Sequence, residues 1–271
     1  MALTFNIDVG AKILSNHLSK ITKDIELSTY RLTTGERINS VSDDPAGYFM
    51  IENLNRQISS SKIGVQNVQS AKTELEYREK NITSINASLQ KALDALKGYS
   101  SATDDTAKAS ILATANAAIA SANQLKSSAK YNDKELYPST AENITINLGD
   151  SSSNITINKS ALGVNMTIGD GSTAITALGV TGAITKLQAD IKANKSNISS
   201  LGAYSNMLSS AADNITTRIE SYSKTIETIS SVDVAVETAK LTQNQILQQV
   251  TAALLSQQPS SAYLALSLIS G

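Results

Sequence analysis

ITKLQADIKANKSNISSLGAYSNMLSSAADNITTRIESYSKTIETI, residues 184–229, carries a long heptad seam. Ile184, Leu187, Ile191, Asn194, Ile198, Leu201, Ser205, Leu208, Ala212, Ile215, Ile219, Tyr222, Ile226 and Ile229 follow alternating steps of three and four, and only Asn194 and Ser205 among them are polar. Such steps put every side chain on one helical stripe, and at ~1.5 Å per residue the stretch describes a rod on the order of 70 Å long. A helix of that length gains most of its stability from packing, so it requires partners with matching stripes.

The chain supplies them. Ile51, Leu54, Ile58, Ser61, Val65, Val68, Lys72 and Leu75 keep the same rhythm, and Ile82, Ile85, Leu89, Ala92 and Leu96 resume it after a phase slip. Asp44 is suited to cap this second rod and Pro45 to its first position, where no backbone N–H is needed; Gly98 marks its end. A shorter helix is expected from Thr103 or Asp104, with Ile111, Ala115, Ala118, Ala122 and Leu125 on one face. Both ends are helical in pattern: Leu14, Leu18, Ile21, Ile25 and Leu32 near the N-terminus, and Val232, Val236, Ala239, Ile246, Val250 and Ala253 near the C-terminus. These terminal helices are expected to pair. Between residues 139 and 183 the period changes to two, in Ile144, Ile146 and Leu148, then Ile155 and Ile157, then Val164, Met166 and Ile168, which predicts short strands joined by turns and no large outer domain. The fold class is therefore mostly α, a long coiled-coil-like helical bundle hairpin built from both chain ends, with a small β-hairpin segment.

Composition supports this and narrows the function. Hydrophobic residues make up 41% of the 271, enough for a core, yet with no Trp and 2 Phe that content is nearly all aliphatic, as helix packing prefers. The net charge is −1 without a basic cluster, which argues against nucleic acid as a partner. Zero cysteines exclude disulfides and thiol chemistry, and His17 is the only histidine, so a His-based metal site within one chain is excluded. No window of about 18 consecutive apolar residues exists, and no membrane span or cleaved secretory signal is expected. Asp43 and Asp44 precede a helix start, where capping explains paired carboxylates better than acid–base catalysis does. No phosphate loop or nucleophile elbow occurs; the reading is a non-enzyme without cofactors.

One further feature points to association. Residues 241–271 contain no charged side chain, although Gln and Ser keep the stretch from reading as a membrane span. A flexible tail is one account of it. The helical periodicity favours another, a surface buried among copies of the same chain, because charge depletion marks interface centres.

Residues 32–47 read LTTGERINSVSDDPAG, and residues 245–249 read QILQQ, followed by Leu254, Pro259 and an apolar close at Leu266, Leu268 and Ile269. In these motifs the chain resembles the bacterial flagellin family, over roughly residues 1–137 and 184–271. The resemblance implies a filament subunit for motility. Its inner helical domain would be residues 1–34 and 231–271, its outer rods 45–138 and 184–230, and its short β segment 139–183. Residues 35–44 would form a spoke, with Gly35, Arg37, Asn39, Asp43 and Asp44 carrying it. Leu14, Leu18, Ile21, Ile25, Leu32, Val236, Ile246, Leu247, Val250 and Leu254 become the expected assembly interface. The family also implies a flagellar cap, a junction protein and an export chaperone as partners, an extracellular location, and type III export without a cleaved signal. Many members present a basic-rich stretch to an innate immune receptor. The matching stretch here is LQKALDALKG, residues 89–98, with Gln90, Lys91 and Asp94 in the contact region and Leu93 where those members have a second Arg. Sugars on outward hydroxyls would fall at turns, as at Ser151, Ser152 or Thr173. Two rivals are a hook–filament junction protein and, from a different class, a secreted coiled-coil protein that inserts into membranes.

Overall fold

A computed structural model describes residues 2–138, 142–150, 153–168, 175 and 179–270, with side chains given for 9–138, 142–149, 153–158, 160–168, 175 and 179–257. The sugar candidates Ser151, Ser152 and Thr173 lie outside the described residues. In chain order the elements are α1 (Ala2–Thr34), α2 (Pro45–Lys97), a short 3-10 turn (Tyr99–Ser101), α3 (Asp105–Ser127), β1 (Lys130–Tyr131), β2 (Lys134–Glu135), β3 (Ile144–Asp150), β4 (Ser153–Ile157), α4 (Lys159–Leu162), α5 (Val180–Ser230) and α6 (Val234–Ser270). Contacts divide the chain into two units: Met1–Arg56 with Ser221–Gly271, and Gln57–Glu220.

In the second unit, α2 and α5 run antiparallel, as the pairs Asn86 with Asn194 and Lys72 with Ser209 require. The heptad positions of α5 behave as the sequence predicts: Leu187, Ile191, Asn194, Leu201, Leu208 and Ile215 are buried. The phase slip expected in α2 is absent. Ser61, Gly64, Val68, Ala71, Leu75, Arg78, Ile82, Ile85, Leu89, Ala92 and Leu96 form one unbroken buried stripe, in which Ala71 and Arg78 replace the expected Lys72 and the gap before Ile82. Arg78 could not be read as a core residue because its charge must first be satisfied. Its guanidinium donates to Glu74 Oε1 at 2.7 and 3.1 Å, to Leu136 O at 2.6 Å and to Leu162 O at 3.3 Å, and lies 5.9 Å from the Tyr137 ring centroid. α3 begins as expected, with Asp104 accepting from the Ala107 amide, and buries Ala115, Ile119 and Ala122.

Two of the three expected strands form a hairpin, β3 against β4, with Ile146 opposite Ile155 and Ile144 opposite Ile157. Its tip docks on α2 by mutual close approach. A Cβ on Gly64 would overlap Leu148 O, and one on Gly149, whose φ is +83°, would overlap Ser60 O. Side chains then capture the backbone carbonyls there: Ser60 Oγ donates to Gly149 O, and Asn67 Nδ2 to Asn147 O at 3.0 Å.

The third expected strand is a correction. Residues 163–167 pair with no strand among the described residues; their backbone is instead met by a row of side chains on α5. Asn197 Nδ2 donates to Gly163 O at 2.7 Å. Asn194 Oδ1 accepts from the Asn165 amide at 2.6 Å while its Nδ2 donates to Asn165 O at 3.0 Å. Asp190 Oδ2 accepts from the Thr167 amide at 2.8 Å and from its hydroxyl at 2.9 Å. Residues 163, 165 and 167 are thus paired along the helix, and the alternate Met166 and Ile168 enter the core beside Ile85, Leu89, Leu187 and Ile191. Period two was the right local reading, but it could not reveal a helix as the pairing partner. The small hairpin β1–β2, turning through Asn132 and Asp133 at φ 51° and 61°, was also not foreseen.

Candidate assembly surface

In the first unit α1 packs against α6. The face of α6 turned inward is not its apolar stripe. Glu237 is buried and Leu241, Asn244, Gln248, Thr251 and Leu255 are half-buried, in steps of four and three. Gln248 Nε2 donates to Thr22 Oγ1 at 3.3 Å across this contact. Leu14, Leu18, Ile21, Ile25 and Leu32 of α1 are half-buried. Val236, Ile246, Leu247, Val250 and Leu254 instead stay exposed, Ile246 at 56% and Val250 at 49%. The ten expected interface residues therefore split into a half-buried α1 set and an α6 set that stays largely exposed among the described residues, with Leu247 and Leu254 of the latter at the edge facing α1. Val9, Ile13 and Tyr30 add exposed apolar surface on α1. A cleft of about 400 Å³ between the two helices is lined by Leu14, Ile21, Leu247 and Leu254 with the polar His17, Lys20, Asp24, Asn244 and Thr251.

The linker after α1 is built from backbone and carboxylate contacts. Gly35, at φ 74°, ends the helix in the left-handed region, where an L side chain is disfavoured. Glu36 then bridges to Ser231, with Arg37 N donating to Ser230 O at 2.5 Å and Val232 N to Gly35 O at 3.1 Å. Arg37 Nη2 donates to Ile229 O at 2.9 Å, so both this side chain and its amide bind the end of α5. Asn39 Nδ2 donates to Glu36 O at 2.7 Å. Asp43 Oδ2 accepts from the Asn39 and Ser40 amides and the Ser40 hydroxyl at 2.9–3.1 Å. Asp44 Oδ1 caps α2 by accepting from the amides of Ala46 and Gly47 at 3.1 and 3.0 Å.

Four residues without a role in the sequence reading, Ser28, Arg31, Glu237 and Lys240, join these parts. Glu237 of α6 accepts from Ser28 Oγ at 2.7 Å and from Lys240 Nζ at 3.2 Å. Arg31 stands between carboxylates, 3.9 Å from Glu237 Oε1 and 3.9 Å from Asp43 Oδ1. Burial pushes the Glu237 carboxyl up, but Ser28, Lys240 and Arg31 outweigh it and hold the group below its ordinary value. Asp43 behaves alike: burial raises it, and the Asn39 and Ser40 donors with Arg31 bring it below the usual carboxylate range. The one signal in the sequence was position, since Glu237 and Lys240 are the last charges before the uncharged tail.

In α2, Lys91 and Asp94 are exposed and Gln90 is half-buried; Asp94 Oδ1 accepts from Lys97 Nζ at 2.9 Å and Gln90 Nε2 at 3.0 Å. Among the described residues no helix is long and apolar enough to cross a membrane, and no three His, Cys, Asp or Glu side chains are placed to hold a metal ion.

Residues 5–142 match the family described as the bacterial flagellin N-terminal helical region, and residues 181–268 the bacterial flagellin C-terminal helical region. Over 94 residues the chain is 31% identical to polar flagellin F of Vibrio parahaemolyticus, an alignment covering 35% of this chain and 25% of that protein. It is 39% identical over 67 residues to the B-type flagellin of Pseudomonas aeruginosa, covering 25% and 14% of the two chains. Flagellin E of Vibrio cholerae is 37% identical over 67 residues, covering 25% and 18%. The aligned stretches thus span a quarter or less of these relatives' own length. With the two helical regions of one family matched at its two ends, and long helices built from both, this chain belongs to the bacterial flagellin family.

Proposed function

We propose that this chain is a structural subunit that self-assembles into the bacterial flagellar filament and performs no catalysis. The observation that carries this reading is the row Val236, Ile246, Leu247, Val250 and Leu254 exposed on α6, the last four of them in a stretch without charge from residue 241 on. An exposed apolar row of that length costs solubility in an isolated chain and gains its purpose when further copies cover it. The filament reading makes residues 1–34 and 231–271 the inner layer, 35–44 the spoke, and 45–138 with 184–230 the outer rods. It also places the polymer outside the cell, with the subunit exported by the flagellar type III route and served by a chaperone, a junction protein and a cap.

The test is electron microscopy of concentrated protein seeded with filament fragments. Long homopolymers are the expected result. Limited oligomers would favour a junction protein, and release of dye from liposomes would favour a membrane-inserting protein. Within the same reading, Lys91 leaves one cation where an immune receptor expects a planar, multidentate arginine, and Leu93 leaves none, so receptor activation should be weak. A reporter-cell response equal to that of a strongly stimulatory flagellin would contradict this.

A further inference from the structure

The pairing of residues 163–167 with α5 has the form of a peptide bound to a receptor. Alternate backbone positions are read by side chains: Gly163 O by Asn197, the Asn165 amide and carbonyl by Asn194, and the Thr167 amide by Asp190. The positions between them supply anchors, Met166 and Ile168, exposed by only 8% and 1%. Backbone bonds that give affinity, with pockets for alternate side chains that give selectivity, define the recognition of an extended peptide.

The geometry of the two partners matches. From residue 163 to 167 an extended chain advances about 13 Å, and from 197 to 190 a helix advances about 10 Å, a difference that Asn and Asp side chains can absorb. The reading groups are themselves held in place. Asn194 is fully buried in the heptad seam and its Nδ2 also donates to Asn86 Oδ1 at 3.1 Å, so its amide is oriented from α2 before the peptide is read. Asp190 is 3% exposed and accepts from the amide and hydroxyl of Thr167, which makes it a buried carboxylate hydrogen-bonded to the bound segment. A core helix that served only to pack would not bury Asp190 and Asn194, with the half-buried Asn197 one turn on, because each buried polar group must find a partner.

We infer that α5 carries a binding site for an extended peptide with apolar residues at alternate positions, filled here by residues 163–168 and able to take the same segment from a second copy of the chain. In one chain the tethered segment wins, because its effective concentration is in the millimolar range. The site opens to a second copy only when the resident segment is unseated. This inference is independent of the filament reading, since it concerns a site within one unit of the monomer.

The test uses the full-length chain with its resident segment disabled in two ways: the double substitution Met166→Asp with Ile168→Asp, which removes the anchors, and separately Thr167→Pro, which removes the amide read by Asp190. A capped synthetic peptide of residues 163–168, GVNMTI, is added to each and the melting temperature is followed by circular dichroism. A ligand that binds the folded state raises the melting temperature as its concentration rises. The expected result is a saturable upward shift in both variants, with no shift in the wild-type chain and none from a peptide of the same composition in scrambled order. Absence of a shift in both variants, or an equal shift from the scrambled peptide, overturns the inference. A variant that unfolds is read the same way: recovery of helix with the GVNMTI peptide supports the site, and failure to recover in both contradicts it.

Discussion

Arg78 occupies a position that every other member of its stripe fills with a small or aliphatic side chain or a serine, and its neighbours explain why it is tolerated. Glu74, Leu136 O and Leu162 O accept its donors. Removing one partner of a buried charge leaves the others unpaired, so Arg78→Ala should cost about 3–5 kcal/mol. Arg78→Met, which restores volume, should cost less; the urea midpoint of the two variants checks the order. The terminal network has a different signature, in pH. Glu237 and Asp43 have folded pKa values below their ordinary 4.5 and 3.8, so their contribution is complete above those values and is lost as pH falls through the lower folded ones. The α1–α6 pair should therefore loosen on acidification below about pH 4.5. Glu237→Gln should lose less helical signal across that window than the wild-type chain, because its network has no carboxylate to protonate at that position. Neither Arg78 nor Glu237 was legible beforehand as a buried residue, since a charged side chain announces burial only through partners that lie far along the chain.

At the level of elements, the rods were legible because their signal is repeated. The seam of α5 spans many turns, so a polar Asn194 or Ser205 does not obscure it. The stripe of α2 is equally regular, yet it contains Gly64, Ala71 and Arg78, three residues that carry little apolar signal, and that is why its continuity was missed. Glycines in helices show how local context decides the sign of one substitution. At Gly202 an added Cβ meets nothing within 4 Å, so Gly202→Ala should stabilise α5 by roughly 0.5–1 kcal/mol through backbone entropy alone. At Gly64 the same Cβ overlaps the Leu148 carbonyl, and Gly64→Ala should destabilise by about 1–3 kcal/mol despite the same helical gain. Thermal unfolding of the two variants side by side checks the opposite signs. The third expected strand failed for a related reason: alternation records which side chains are buried, while the identity of the pairing partner is set by Asp190, Asn194 and Asn197.

For the whole molecule, the apolar row of α6 is expected to become buried only when copies assemble. A charge-free helical tail is legible in the sequence, and the structure adds that α6 meets α1 through Glu237, Leu241, Asn244, Gln248 and Thr251, leaving Val236, Ile246 and Val250 about half exposed and Leu247 and Leu254 at the edge of the cleft. A carboxylate placed in that row meets water in the monomer but must be desolvated without a partner in a polymer, at a cost of several kcal/mol. Loss of the apolar contact adds roughly 1.5–3 kcal/mol, and each 1.4 kcal/mol is worth about a factor of ten, so the critical concentration should rise at least about a thousandfold. The most direct measurement is seeded elongation of Ile246→Asp and Val250→Asp, separately, with circular dichroism of each monomer as the control. Elongation should stop in both while monomer helicity barely changes; elongation of either variant at wild-type concentrations would show that this face stays in solvent and overturn its burial on assembly.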